Sequence, residues 1–209
     1  MILSGRDKAY QYLRNTVLTD PAMQGRFISE QDVAARVGIS RTPIREALLM
    51  LAAEDQVRLV PKRGAYVAPL SGKDLRELVE LRATLECFAA RKTLASATVP
   101  LTALRETLER QETVDDPRHS REFIELDTHF HTLLIEAAGN DILAKTYTAL
   151  RDRQVRAGLV ALYSTAGRQD AVLTEHRAIL DALTAGELDA AEAAINTHLE
   201  TTLRIQLMS

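Results

Sequence analysis

Four side chains in the second half of this 209-residue chain have the types and spacing to hold a divalent ion. Asp127 and His131 stand four apart in a segment whose apolar positions, Phe123, Leu126, Phe130, Leu133, Leu134 and Ala137, follow a helical period. Both therefore fall on or beside its buried face. His176 sits within the stripe Val172, Leu173, Ile179, Leu180 and Leu183, and His198 within Leu188, Ala191, Ile195, Leu199 and Thr202. A lone inward histidine is most simply a hydrogen-bonded core residue. An inward carboxylate is harder to explain, because an unpaired buried charge costs several kcal/mol and needs a cation or donors. One carboxylate oxygen and three imidazole nitrogens on three helices suit a divalent transition metal, and zinc, nickel or manganese would each be accepted. The two other histidines, His119 and His129, are not needed for this set.

A second group suits nucleic acid. The run Val33-Ala-Ala-Arg-Val-Gly-Ile-Ser-Arg-Thr-Pro-Ile-Arg-Glu-Ala-Leu48 reads as a helix, a turn at Gly38 and a second helix capped by Ser40. Pro43 falls in the first turn, where its missing N–H costs nothing. Ile44, Ala47, Leu48 and Leu51 form the buried stripe, and Arg41 and Arg45 stand four apart on the opposite face. An arginine there can bond guanine bidentately or clamp a phosphate, while Ser40 and Thr42 reach the backbone beside the free N–H groups of the helix start. Two β-prone runs, Val57–Val60 and Ala65–Val67, flank Pro61-Lys62-Arg63-Gly64 and read as a hairpin. Arg63 supplies a cation at its tip, and Gly64 a backbone that can approach closely.

These residues must be positioned by two different kinds of sequence. The composition is 46% hydrophobic, 26% charged and 4% aromatic, with no Trp. That excludes a disordered chain and favours packed helices over a β-sandwich. Residues 1–70 carry ten Lys or Arg against seven Asp or Glu, whereas residues 71–209 carry sixteen against twenty-two and hold all five His. The overall net charge of −3 thus conceals a basic head and an acidic body. Past Ser71 the spacing predicts six helices, over 73–97, 101–114, 118–138, 141–163, 168–185 and 188–206, in an antiparallel bundle. In the head it predicts a first helix over Arg6–Leu18. The single Cys87, the charged start and the lack of any long apolar run lead us to expect a cytoplasmic protein without a membrane span.

The head resembles the winged helix-turn-helix of the GntR family of bacterial transcriptional regulators. The resemblance rests on Ser29-Glu30, on Gly38 to Leu48 with Leu51 and Glu54, and on Pro61 to Val67. It implies operator contacts from Arg41, Arg45 and Gly64. Gln31 stands where some members place an arginine. In the body, Leu81-Arg82 with Leu85-Glu86 and Ala89-Ala90, then Asp127 to His131 with Ala138-Gly139-Asn140, Glu175-His176 and His198-Leu199 are similar to the helical effector (FCD) domain of the FadR subfamily. The count of six helices is closer to the shorter, VanR-like members. The resemblance implies that Asp127, His131, His176 and His198 hold a metal, that the domain forms a homodimer, and that it binds a small effector, often a carboxylate.

The fold expected is therefore mostly α, with a DNA-binding winged helix-turn-helix over 1–70. Residues 71–209 form the effector-binding and dimerisation domain. Four protein ligands leave open positions on a six-coordinate ion for a carboxylate. Arg82 lies in the stripe of Leu75, Leu78, Leu85 and Ala89, and Arg151 beside Leu143, Tyr147 and Leu150, so each can aim a guanidinium inward. Arg82 can equally pair with Glu86, four residues on. The reading is a homodimeric repressor on double-stranded operator DNA, released by a small carboxylate bound at the metal, and not an enzyme. The alternatives are a metal-sensing repressor with no organic effector, and a metal-dependent hydrolase.

Overall fold

Serines open three of the helices in the computed structural model, which describes residues 3–208. Ser4, Ser29 and Ser71 each accept a hydrogen bond from the backbone N–H three residues on, and Asp74 returns the contact to Ser71 in a full capping box. The described chain is mostly helical and divides into two compact units at Leu70/Ser71.

In the first unit, α1 (Gly5–Tyr12) continues into a π-wound turn, Leu13–Val17, rather than running as one α-helix to Leu18. The wider winding, closed by Leu18 N–H to the Leu13 carbonyl at 2.9 Å, lets two leucines five apart point into one core, and both are fully buried. α2 (Glu30–Val37) ends at Gly38, whose φ of 74° is the left-handed cap that glycine supplies. α3 (Arg41–Ala53) buries Ile44, Ala47, Leu48 and Leu51. The hairpin forms from β2 (Arg58–Val60) and β3 (Gly64–Tyr66), but β1 (Phe27–Ile28) adds a third antiparallel strand, giving the order β1-β3-β2. Two residues are too few for a period-two signal. Phe27 is held instead by Tyr66, ring centroids 5.2 Å apart, and by the Arg63 guanidinium 4.4 Å over its ring.

The second unit contains seven α-helices among the described residues: α4 (Gly72–Ala95), α5 (Leu101–Glu112), α6 (Ser120–Ala137), α7 (Asp141–Ala149), α8 (Arg151–Ser164), α9 (Arg168–Ala185) and α10 (Leu188–Met208). The expected helix over 141–163 breaks at Leu150, so the count of six is corrected to seven. No proline or glycine marks the break. It is imposed by packing, because α7 lies on α6 and α4 while α8 lies on α6 and α10. α6 is central, touching α4, α5, α7 and α8. The main core gathers Leu104, Phe130, Leu134, Tyr147, Ile179, Leu183, Ile195 and Leu199 around it. No helix among the described residues is long and apolar enough to cross a membrane.

Ile195 is fully buried at the centre of that core. Its replacement by Ala is expected to lower the stability of the helical unit by about 3 kcal/mol, as lost transfer energy and a residual cavity add together. Urea unfolding followed by circular dichroism measures this, and a loss below about 1 kcal/mol would contradict the packing described.

Candidate functional site

α6 carries Asp127 and His131 one turn apart, and α9 and α10 bring His176 and His198 against them. One ligand atom from each lies within 4.8 Å of all the others. His131 Nε2 is 3.3 Å from His198 Nε2, His176 Nε2 is 3.3 Å from Asp127 Oδ1, and His198 Nε2 is 3.9 Å from that oxygen. Ligands at about 2.1 Å around a tetrahedral ion stand roughly 3.4 Å apart. Phe130 stacks on the His176 ring at 4.5 Å and fixes its plane.

The outer nitrogens explain which way the rings face. His131 Nδ1 lies 2.8 Å from Glu86 Oε2, His198 Nδ1 2.7 Å from Glu175 Oε2, and His176 Nδ1 2.9 Å from Gln111 Oε1. The Gln111 amide nitrogen donates to the Phe123 carbonyl at 3.1 Å, which turns its oxygen toward His176. All three partners accept, so each Nδ1 carries the proton and each Nε2 presents a lone pair. The inner face is then three nitrogens and a carboxylate, acceptors without a donor. His176 Nε2 is buried and makes no hydrogen bond. A divalent ion fits this donor set.

Protons are poor substitutes for it. Burial pushes His176 down to about 4 against the pull of Asp127, and burial lowers His198 despite Glu175. Burial works to raise Asp127, but His176, His198 and His131 outweigh it and hold the carboxyl well below its usual range. The outer carboxylates are balanced separately. Arg168 grips Glu175 with two bonds of 2.8 and 2.9 Å, and Arg82 Nε bonds Glu86 Oε1 at 2.9 Å. Tyr147 also donates to Glu86, at 2.7 Å. Burial opposes the ionised Glu86, yet Arg82, with His131 and Tyr147, keeps its pKa far below normal.

Beside the cluster lies a cavity of about 30 Å³ whose walls include Leu78, Arg82, Ile124, Asp127, Gln154, Gly158 and His198. Arg82 is thus both the Glu86 partner and a wall of the cavity, with its buried Nη2 unpartnered. Arg151 is elsewhere. It stands half-exposed at the start of α8, 3.6 Å from Glu125 and 3.8 Å from Asp152, and does not line the cavity. His119 and His129 are exposed.

In the head, Arg41 and Arg45 project from α3 and share one acceptor: Glu30 Oε2 takes Arg41 Nη2 at 2.9 Å and Arg45 Nε at 2.8 Å. Ser40 is exposed, and its side chain makes no capping bond, leaving the helix start open. Arg41, Arg45, Lys62, Arg63 and Gly64 face a common groove of about 680 Å³. Gly64 has φ of 97°, a value that disfavours any side chain at the wing tip.

Residues 77–201 match the family model of the FCD domain, and residues 6–67 match that of the bacterial regulatory proteins of the gntR family. The chain belongs to the GntR family. It is 35% identical over 202 residues to an HTH-type transcriptional regulator from an unstable DNA locus of Streptomyces ambofaciens, covering 94% of this chain and 82% of that protein. Identity to the HTH-type transcriptional repressor RspR of Escherichia coli K12 is 29%, over 91% of this chain and 84% of that one. A GntR-type transcriptional regulator from Rhodococcus sp. RHA1 shares the fold with a TM-score of 0.84 at 24% identity, over 99% of each chain. This GntR protein is accordingly a DNA-binding transcriptional regulator.

Several residues of the site escaped the sequence reading. Gln111 continues the stripe Leu104, Leu108 of α5, and a buried glutamine on such a stripe was a usable signal. Glu175 is next to His176 in sequence yet serves His198, and Glu30 meets arginines 11 and 15 residues away. Neither relation has a period. For the metal, His176→Ala is expected to drop bound metal to well under half an ion per chain, while Gln111→Leu, which leaves the four donors in place, weakens affinity about 10- to 100-fold. Elemental analysis and competitive chelator titration measure both, and full metal content in His176→Ala would overturn this ligand set.

Proposed function

We propose that this GntR regulator is a homodimeric repressor that holds operator DNA with its head and releases it when a small carboxylate binds beside a divalent metal in its FCD domain. The observation that carries the reading is the buried, unpartnered Arg82 Nη2 in a cavity walled by the ligands Asp127 and His198. Charge supports it. With Glu86 and Glu175 neutralised by Arg82 and Arg168, a divalent ion on Asp127 leaves one uncompensated positive charge, which one carboxylate would cancel. We assign Asp127, His131, His176 and His198 to zinc, nickel or manganese, and Arg82, without Arg151, to the effector.

In the head, Arg41, Arg45, Thr42 and Ser40 would meet base edges and phosphates, with Arg63 and Gly64 on the backbone at the wing. Glu30 keeps the two arginine forks together until DNA replaces it. One such helix offers few contacts, so two heads on a two-fold site are needed. Leu81 and Phe88, exposed and seven apart on one face of α4, suit the self-association. We place the protein in the cytoplasm with its operator. A hydrolase is not proposed, because Glu86, the nearest candidate base, is committed to Arg82, Tyr147 and His131. The size of the cavity, which holds about one water as it stands, favours one second reading, a repressor that senses the metal alone.

The test is a binding titration on an operator selected from a random duplex pool, with metal-loaded protein. Two chains per operator, about a 10- to 100-fold loss for Arg45→Ala with a shallower salt dependence, and weakening by a carboxylate are expected. Release by chelator, with no acid effective among a broad panel, would replace the acid reading by metal sensing.

A further inference from the structure

The three arginines that line the groove of the head are held in two different ways. Arg41 and Arg45 spend N–H groups on Glu30 Oε2. Arg63 spends none: among the described residues its guanidinium has no hydrogen bond or ion pair, and it lies 4.4 Å over the centroid of the Phe27 ring. Phe27 is itself fixed. It pairs with Tyr66 across β1 and β3, the two rings 5.2 Å apart, and the Val67 N–H donates to the Arg26 carbonyl beside that pair at 2.9 Å. The turn that carries Arg63 is equally tight. The Arg63 N–H donates to the Val60 carbonyl at 3.0 Å, and the residues on either side, Lys62 and Gly64, both have left-handed φ, 63° and 97°.

A cation is attracted to a ring face without using a hydrogen-bond acceptor, so the N–H donors of the fork remain for phosphate oxygens. An acid in the place of Phe27 would hold the same cation, but it would occupy those donors and offset the charge. The ring therefore does for the wing what Glu30 does for α3, with no partner for DNA to displace. Both devices sit on one short segment, three residues apart. Resting on the placement of Arg63 at the operator, we propose that Phe27 is a positioning residue for DNA binding, its ring holding the Arg63 guanidinium at the wing with its donors free for a backbone phosphate.

Wild type, Phe27→Leu, Arg63→Ala and the double variant are titrated with the selected operator duplex over a range of salt, as metal-loaded, full-length proteins. An exposed cation–π contact corresponds to a factor of about 2–5, and Phe27→Leu is expected to weaken binding by that factor per head. Arg63 keeps its charge in this variant, so the salt dependence should not change, whereas Arg63→Ala should make it shallower by about one ion per head. In the Arg63→Ala background Phe27→Leu should have no further effect. Phe27→Tyr, which keeps a ring face, should bind within about twofold of wild type. A loss in Phe27→Leu that persists without Arg63, or that Phe27→Tyr shares, shows that Phe27 serves only the packing of β1 and overturns the proposal, as does wild-type binding by Phe27→Leu. Wild-type binding by Arg63→Ala overturns the placement of Arg63 at the operator and this proposal with it.

Discussion

Four acceptors that face one another in the middle of a helical bundle repel one another unless a proton or a cation lies between them. That constraint organises most of the C-terminal unit. Asp127 and the Nε2 atoms of His131, His176 and His198 converge because the outer nitrogen of each ring is bound by an acceptor on another helix: Glu86 on α4, Gln111 on α5 and Glu175 on α9. The same pairs tie α6 to α4, α9 to α5 and α10 to α9. An ion at the centre would therefore couple five helices through second-sphere contacts as well as through its own ligands.

Charge is arranged in layers around that centre. Two outer carboxylates would strengthen the imidazoles as ligands, and each is balanced by a buried arginine. The third ring has a neutral amide instead. Only Asp127 would be left to offset an ion there, and Asp127 also lines the cavity that Arg82 and Gln154 face. The head follows a similar logic in a more exposed setting. Glu30 gathers Arg41 and Arg45 on one oxygen, orienting two flexible cations before any DNA is present. Surface pairs of this kind contribute little stability, about 0–1 kcal/mol, so their value is in geometry.

How much of this could be read from the chain alone depended on the range of the contact. A side chain's face on a helix is a local property, so the positions of Asp127, His131, His176 and His198 on inward faces followed from apolar spacing. The winged head was legible because Gly38, Ser40, Pro43 and Gly64 punctuate it. Partners across helices were not legible. Glu86 precedes His131 by 45 residues, and nothing local joins them. β1 was too short to pattern, and the π-wound turn after Tyr12 shows only in how Leu13 and Leu18 share a core. The break at Leu150 had the largest consequence. With one continuous helix, Arg151 belongs to the stripe of Leu143 and Tyr147; with the break, it begins α8 on a different course beside Glu125 and Asp152.

The central claim is that the three inward imidazoles and Asp127 hold an ion. Anomalous diffraction from crystals of protein purified without chelator or affinity tag tests it most directly. One peak per chain is expected, within about 2.0–2.3 Å of His131, His176 and His198 Nε2 and an Asp127 oxygen. Ordered water at that position with no anomalous signal, in protein supplied with zinc, nickel and manganese, would contradict it.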